Sequence, residues 1–437
     1  MENISTLKLK SPTTIEMTLT KECNHKCLHC YNPWRSEKKG EKQYFTKEQL
    51  KKFVRELKDN EVWHVTISGG EPLTYFEALK NTTKEFDKNG IEYSVNSNLT
   101  LLTDEVASYL KQCKEFTNFI LTSLPSIEEK TCDEITQVKG SYQRILKGIK
   151  LAKKYHIEVG INMVISKRNI NDLNTITTFL KKFDIDYVSI SLVIPPAYDQ
   201  YNEAYCLTNN DIIMVADKLL EINKINKIAV DSVTPIPLCI IKNIDKYKNI
   251  INTSCSAGIS RCTIDTNGDV FACSHEDKPY GNIFKEKLSE IWKRMDMWRN
   301  CENLNDECKQ CAYLNICGGE CRMHNEKNKN KKYKLNHNAE FILDDDHLIK
   351  ELSKPISKEQ GYIINHYKER KESFGSAIRI NYNEYFIDKE IIELLDFIKT
   401  TIGEKFFLKD LEGKIEFNQE LYLTLNFLED NRIITKM

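Results

Sequence analysis

The sequence predicts an α/β fold: a partial (β/α)6 TIM-like barrel, then a cysteine-rich domain, then a small separate α+β domain. Three observations point to it. Over the first 200 residues, short apolar runs alternate with amphipathic stretches, as strands and helices do around a parallel sheet. Eleven of the fifteen cysteines fall into two groups, 23–30 and 255–321, where a scatter of packing residues would be even. Beyond residue 360 the pattern changes to two probable strands followed by helical stretches.

Strands are expected at Thr14–Thr20, Trp63–Gly69, Glu92–Asn98, Asn118–Leu124, Val159–Ile165 and Tyr187–Ile194. Each is short, rich in β-branched or aromatic residues, and bounded by polar or turn residues. Between them, helical periodicity covers Thr46–Leu57, Phe76–Lys88, Asp104–Cys113, Tyr142–Tyr155 and Leu173–Phe183. Asp104 offers an acidic start to its helix, and Ser141 stands before the helix at Tyr142. Six such units fall short of a closed eight-fold barrel. These elements define a first domain over residues 12–200, followed by a less regular bridging region over 201–254. The cysteine-dense domain spans 255–350, and its run from Cys262 to Cys273 reads as a hairpin with Asn267 and Gly268 at the turn. The basic stretch Asn325–Lys334 reads as a solvated loop. The last domain, 360–437, begins with strands at Tyr362–Glu369 and Ala377–Tyr382. A helix at Lys389–Lys399, a second helical unit and a third at Leu421–Leu428 follow.

A chain of 437 residues with 41% hydrophobic content has room for two or three domains with real cores. A formal net charge of -1 gives no bulk attraction to nucleic acid or to an anionic membrane, so neither is an expected partner. No export signal and no apolar run near membrane-spanning length is visible, so a cytoplasmic location is expected. There the cysteines stay reduced, which favours metal over disulfides.

Cys23, Cys27 and Cys30 are spaced C-x3-C-x2-C at the end of the first strand, the mouth where barrels carry their sites. Three thiolates hold three irons of a [4Fe-4S] cube and leave the fourth open, whereas four cysteines fill every iron and suit electron transfer. A zinc site or incidental cysteines are the plain alternatives. The second strand runs into Ser68-Gly69-Gly70-Glu71-Pro72. Alone, such a segment would be an ordinary turn. Together with the cysteine loop, it makes residues 12–200 resemble the radical S-adenosylmethionine (SAM) superfamily.

The resemblance implies a catalytic [4Fe-4S] cluster on Cys23, Cys27 and Cys30, with SAM chelated at the open iron. It implies that one electron cleaves the sulfonium, and that a 5′-deoxyadenosyl radical then abstracts a substrate hydrogen. By the same resemblance Gly69, Gly70 and Glu71 bind the SAM amino group, and Tyr31 lies near the adenine. Ser97 and Ser123, at the ends of the third and fourth strands, contact SAM as well. Arg144, within Gly140–Arg144, lies near the SAM carboxylate; it could equally be a cation on a helix surface. Where relatives read Ser-Leu-Asp-Gly, this chain reads Ser123-Leu124-Pro125-Ser126, so the usual aspartate is absent.

The second cysteine group reads Cys255-x12-Gly268-x4-Cys273 and then Cys308-x2-Cys311-x5-Cys317-x3-Cys321. It resembles the SPASM extension, which carries auxiliary iron–sulfur clusters. The resemblance implies that Cys255, Cys262, Cys273 and Cys321 hold auxiliary cluster I, and that Cys308, Cys311 and Cys317 hold auxiliary cluster II. Zinc would accept the paired cysteines too. Relatives carry one more cysteine after the last pair, and this chain has none after Cys321. Asp344, Asp345, Asp346, His347 or Cys301 could complete the second cluster. It could also keep an open iron, be smaller, or be absent. Cys113, Cys132 and Cys206 read as packing residues, and Cys239 is isolated.

Arg370-Lys371-Glu372-Ser373-Phe374-Gly375, followed by Ala377-Ile378, makes the last domain resemble the winged-helix-like domains that recognise leader peptides. Such domains take the peptide as an added strand on a sheet edge. A small domain for packing or dimerisation is the plain alternative. The resemblance implies a maturase of a ribosomally synthesised peptide (a RiPP) that forms a crosslink, with a thioether favoured and a carbon–carbon bond next. Its partners would be a precursor peptide with its leader and an electron donor such as flavodoxin or ferredoxin. Rival readings are an anaerobic sulfatase-maturing enzyme, a peptide epimerase with Cys239 or Cys301 as hydrogen donor, and a non-catalytic iron–sulfur electron-transfer or scaffold protein. Sulfatase-maturing relatives carry an aspartate where this chain has Ser274, which weighs against the first.

Overall fold

The structure, a computed structural model, describes residues 8–32, 44–194, 207–241, 245–247, 250, 255–311, 314–323, 355–380 and 383–437. Cys206, the Asn325–Lys334 stretch and the candidates Asp344, Asp345, Asp346 and His347 lie outside the described residues. The chain divides into two compact units, one over Ser11–Ala339 and one over Glu340–Met437 with Leu7–Lys10.

The first unit is built on β1 (Thr14–Thr20), β2 (His64–Gly69), β3 (Glu92–Ser97), β4 (Phe116–Ser123), β5 (Glu158–Ile165), β6 (Tyr187–Leu192) and β7 (Ala229–Ser232). They lie side by side in chain order, all parallel. The six expected strands are present within two residues of their expected ends. β7 adds a seventh, and its four residues carry too little periodicity to stand out in the sequence.

Three further strands continue the same sheet from its other side: β8 (Arg261–Ile264), β9 (Asp269–Phe271) and β10 (Gly281–Asn282). β8 pairs parallel with β1, and β9 folds back antiparallel on β8 with Asn267 and Gly268 between them. The cysteine-rich hairpin is thus an extension of the barrel sheet. Flanked on both sides, β1 is almost wholly buried, as its apolar run requires.

The crossovers carry α1 (Lys47–Asp59), α2 (Phe76–Asn89), α3 (Asp104–Gln112), α4 (Glu129–Thr136), α5 (Ser141–Lys154), α6 (Ile176–Phe183) and α7 (Asn209–Asn226). In α1, Leu50, Phe53, Val54 and Leu57 recur at helical spacing and are buried, while Thr46 and Gln49 close a capping box. α7 occupies the region expected to be irregular. Its start is signalled by a second capping box, Thr208 with Asp211. Among the described residues no helix is long and apolar enough to cross a membrane.

The second unit has two three-stranded antiparallel sheets. One has the order β15 (Lys405–Phe407), β11 (Gly361–Ile364), β16 (Ile434–Lys436). The other has the order β12 (Lys368–Glu372), β13 (Gly375–Ile380), β14 (Asn383–Asp388). Helices Lys389–Thr401 and Gln419–Asp430 cover a common core that includes Tyr362, Ile378, Leu395, Phe406 and Leu425. The expected second helical unit is a single 3-10 turn, Leu408–Leu411. On edge strand β12, Arg370 and Glu372 point inward as a fully buried pair 2.6 Å apart, while Glu369 and Lys371 face the other way. Inward and outward charges of this kind deter unwanted edge pairing. Leu395 is fully buried. Leu395→Ala is expected to destabilise this unit by about 2–5 kcal/mol, read as faster amide exchange over 361–436 with exchange in β1–β7 unchanged.

Candidate metal and cofactor site

The loop that carries Cys23, Cys27 and Cys30 leaves β1 at its C-terminal end and is clamped to the Ser68–Pro72 segment after β2. The Gly70 amide donates to the Thr20 carbonyl at 2.8 Å, and the Glu71 amide to Glu22 at 2.7 Å. A Cβ on Gly70 would stand 2.0 Å from the Glu22 carbonyl oxygen. Gly69 has φ of 126°, and a Cβ there would meet the Thr20 carbonyl oxygen at 2.4 Å. Both glycines are therefore demanded by the backbone of the cysteine loop itself.

Glu71 is 1% exposed, and its carboxylate is turned into the protein. It accepts from the Leu73 amide at 2.9 Å, the Ser97 hydroxyl at 2.7 Å and the Asn98 amide at 2.7 Å. Burial pushes its carboxyl up from the ordinary range, and these three donors pull the other way. Glu71 and Ser97 thus brace β2 against β3.

The far side of the loop is tied down as well. Lys26 and Leu28 donate their amides to Thr136 and Ile135 at the end of α4, each at 2.9 Å. Asn24 donates to the Thr100 hydroxyl and accepts from Asn98, both at 2.8 Å. Arg144, at the start of α5, stands close enough that its charge, after burial, helps push His25 down to about 4. Its guanidinium donates to the Lys139 carbonyl and is exposed. Ser123, at the end of β4, is exposed too.

Three buried polar atoms around this mouth have no hydrogen-bond partner: His25 Nε2, Asn32 Oδ1 and Thr122 Oγ1. Each would be costly to leave unsatisfied. A polar ligand at the mouth would relieve that cost, and the three-thiol loop beside them is the donor set for iron. The residues fit a cluster with a polar cofactor.

Tyr31 continues the loop toward the cysteine-rich segment. Its ring stacks on His275, with centroids 4.1 Å apart and planes 28° from parallel. Its hydroxyl is hydrogen-bonded to Ser274, and burial followed by the Glu16 charge holds the phenol protonated. Glu16 in turn pairs with Arg261 of β8. His275 Nδ1 lies 3.6 Å from the Cys273 sulfur. One ring pair therefore spans from Cys30 to Cys273. Neither His275 nor Asn32 was singled out by the sequence, because a histidine two residues past a cysteine carries no distinctive pattern.

Of the expected auxiliary ligands, Cys255, Cys273 and Cys321 come together. Burial pushes the Cys273 thiol well up, and the neighbouring Cys255 and Cys321 add to it. The structure does not bring Cys262 to them. On β8, alternation turns Arg261 toward Glu16, Tyr31 and Cys273, and turns Cys262 to the opposite face beside Ile15. Cys308, Cys311 and Cys317 form a second group whose charges act on one another. Cys301 stands apart: the Arg322 guanidinium donates to its sulfur at 3.6 Å. Cys113 and Cys132 sit among their own helices, within reach of the Tyr109 carbonyl and the Ser141 hydroxyl. Among the described residues, no three side chains are gathered tightly enough to share a single metal ion.

Comparison with known proteins agrees with this geometry. Residues 17–180 match the radical SAM superfamily, and residues 255–312 match the SPASM iron–sulfur cluster-binding domain. The AdoMet-dependent heme synthase of Methanosarcina barkeri is 25% identical, over 71% of this chain and 91% of its own. The cysteine-type anaerobic sulfatase-maturating enzyme of Clostridium perfringens is 22% identical, over 72% of this chain and 90% of its own. The crystal structure of Streptococcus suis SuiB bound to precursor peptide SuiA shares the fold, with a TM-score of 0.58 at 19% identity over 74% of each chain. The cofactors are SAM, a [4Fe-4S] cluster and auxiliary iron–sulfur clusters. When bound, the first cluster supplies the electron that cleaves SAM. The chain thus carries a radical SAM domain followed by a SPASM iron–sulfur cluster-binding domain.

Proposed function

We propose that this enzyme matures a ribosomally made peptide. It takes a hydrogen from a substrate carbon and closes a crosslink, with a thioether favoured and a carbon–carbon bond second. The observation that carries the reading is strand β14. Among the described residues it ends its sheet, paired with β13, and presents the half-buried Tyr385 and Phe386. Charged β12, at the other edge, is a poor template; β14 suits an added peptide strand, with its aromatic residues offering side-chain pockets. The 360–437 domain would then be the leader-binding module, with a winged-helix-like role. SuiB, which shares the fold, is known in complex with a precursor peptide.

In this chain Cys23, Cys27 and Cys30 would hold the catalytic cluster. Tyr31, Gly69, Gly70, Glu71, Ser97, Ser123 and Arg144 would bind SAM, with Glu71 also bracing the pocket. Making a thioether removes two hydrogens from the peptide, one as an atom to the deoxyadenosyl group of SAM. The other leaves as a proton and an electron, and an auxiliary cluster held by the second cysteine group would take up that electron. A flavodoxin or ferredoxin would supply the reducing electron. The cysteine-rich, thiol-dependent chemistry suits the cytoplasm. Ser274 weighs against formylglycine formation, since its hydroxyl is engaged by Tyr31.

The test is anaerobic incubation of reconstituted enzyme with SAM, reductant and a candidate peptide encoded beside the gene, followed by mass spectrometry. A loss of two hydrogens is expected, and removal of residues 355–437 is expected to weaken peptide binding at least tenfold while uncoupled SAM cleavage persists. Unchanged peptide mass with turnover of an iron porphyrin instead would overturn the reading.

A further inference from the structure

We propose that Cys239 is the fourth ligand of the second auxiliary cluster, together with Cys308, Cys311 and Cys317. The inference rests on the reading of those three as iron–sulfur ligands. By sequence the set is one thiol short, and no cysteine follows Cys321.

The structure supplies a fourth from the other direction along the chain. After β7 the chain makes a single 3-10 turn, Leu238–Ile240. The Leu238 backbone is hydrogen-bonded to the Cys317 sulfur, so this turn lies directly against the cysteine group. Cys239, the next residue, is half-buried and stands within electrostatic reach of Cys317, Cys308 and Glu320. The turn is anchored by Leu238, 4% exposed, and by the Ile241 amide, which donates back to Leu238 at 2.9 Å. Cys239 is thus brought beside Cys317 and Cys308, which stand in one group with Cys311.

Among the described residues, the competing donors are less suited. Cys301 is held by Arg322. Glu320 lies near the same thiols, but the Asn305 side-chain amide donates to its carboxylate at 3.0 Å. A thiolate is also the softer and better-matched ligand for iron–sulfur clusters than a carboxylate. Full ligation by four cysteines would leave this cluster no open iron for a substrate, which fits electron transfer. It also occupies Cys239, removing it as a hydrogen donor for epimerisation.

The test compares reconstituted full-length wild type, Cys239→Ala, Cys239→Ser, Glu320→Gln and Cys317→Ala by iron content, Mössbauer spectroscopy and hydrogen exchange of β1–β7. Cys239→Ala is expected to lose up to about four irons per chain, as one cube holds, or to turn one cube into a three-iron form. Cys317→Ala is expected to do the same. Glu320→Gln is expected to keep the wild-type spectrum, and Cys239→Ser to give an intermediate one, with unchanged exchange in the barrel showing that the fold persists. A second readout is alkylation: Cys239 is expected to be protected in loaded protein and labelled at least tenfold faster after iron is chelated. Wild-type iron and spectrum in Cys239→Ala, with loss in Cys317→Ala, would overturn the proposal and leave the three-cysteine reading standing. No change in either would overturn both. Loss in Glu320→Gln alone would assign the position to the carboxylate instead.

Discussion

Replacing Cys23, Cys27 and Cys30 together by alanine is expected to lower SAM cleavage at least a thousandfold and to remove about four irons per chain. The effect should be this large because the described residues of this loop hold no further cysteine. The remaining cysteine groups belong to other segments, and the buried polar atoms nearby, His25 Nε2, Asn32 Oδ1 and Thr122 Oγ1, are too few and too hard to hold iron in their place. The loop should survive the change. Its backbone is fixed by Gly70, Glu71, Thr136 and Ile135 independently of the thiols. The auxiliary iron should therefore remain, and chromatographic assay of 5′-deoxyadenosine beside iron analysis checks both halves. Cleavage within tenfold of wild type would refute the assignment.

Gly70→Ala is the second large effect, and it requires no cofactor contact. The new methyl would press on the Glu22 carbonyl at 2.0 Å, where neither partner is a flexible side-chain tip. Overpacking of this kind costs about 3 kcal/mol, which corresponds to roughly a hundredfold if it falls entirely on cofactor affinity. The lever is mechanical. Moving Glu22 moves Cys23, and moving Glu71 releases the brace to Ser97 and Asn98. Titration calorimetry with SAM on loaded protein measures the loss, and auxiliary iron content is expected to stay at the wild-type value. Wild-type SAM affinity would show that the two segments are not coupled as described.

Much of the barrel was legible because its strands and helices follow simple periods, and because the cysteine loop and the Ser68–Pro72 segment fall at strand ends. What escaped depended on tertiary placement. β8 looks like half of an independent hairpin, and only its pairing with β1 shows that it extends the barrel. Strand alternation decides that Arg261 faces Tyr31 while Cys262 faces Ile15, a distinction invisible in a count of cysteine spacings. That Gly69 and Gly70 also admit the backbone of Thr20 and Glu22 could be seen only in the folded chain. The hydrogen bonds of Glu71 to Leu73, Ser97 and Asn98, which add a brace to its expected cofactor role, depend on strands far apart in sequence. Cys239 lies before the matched cluster-binding domain begins, so no local pattern could attach it to Cys317.

The most direct test of the central claim is the fate of hydrogen taken from the peptide. Loaded enzyme, reductant, SAM and a precursor peptide deuterated throughout its core would be incubated without oxygen, and the 5′-deoxyadenosine examined by mass spectrometry. The account predicts one deuterium in the deoxyadenosine for each peptide that loses two hydrogens. Deoxyadenosine formed in quantity without deuterium, beside an unaltered peptide, would contradict it.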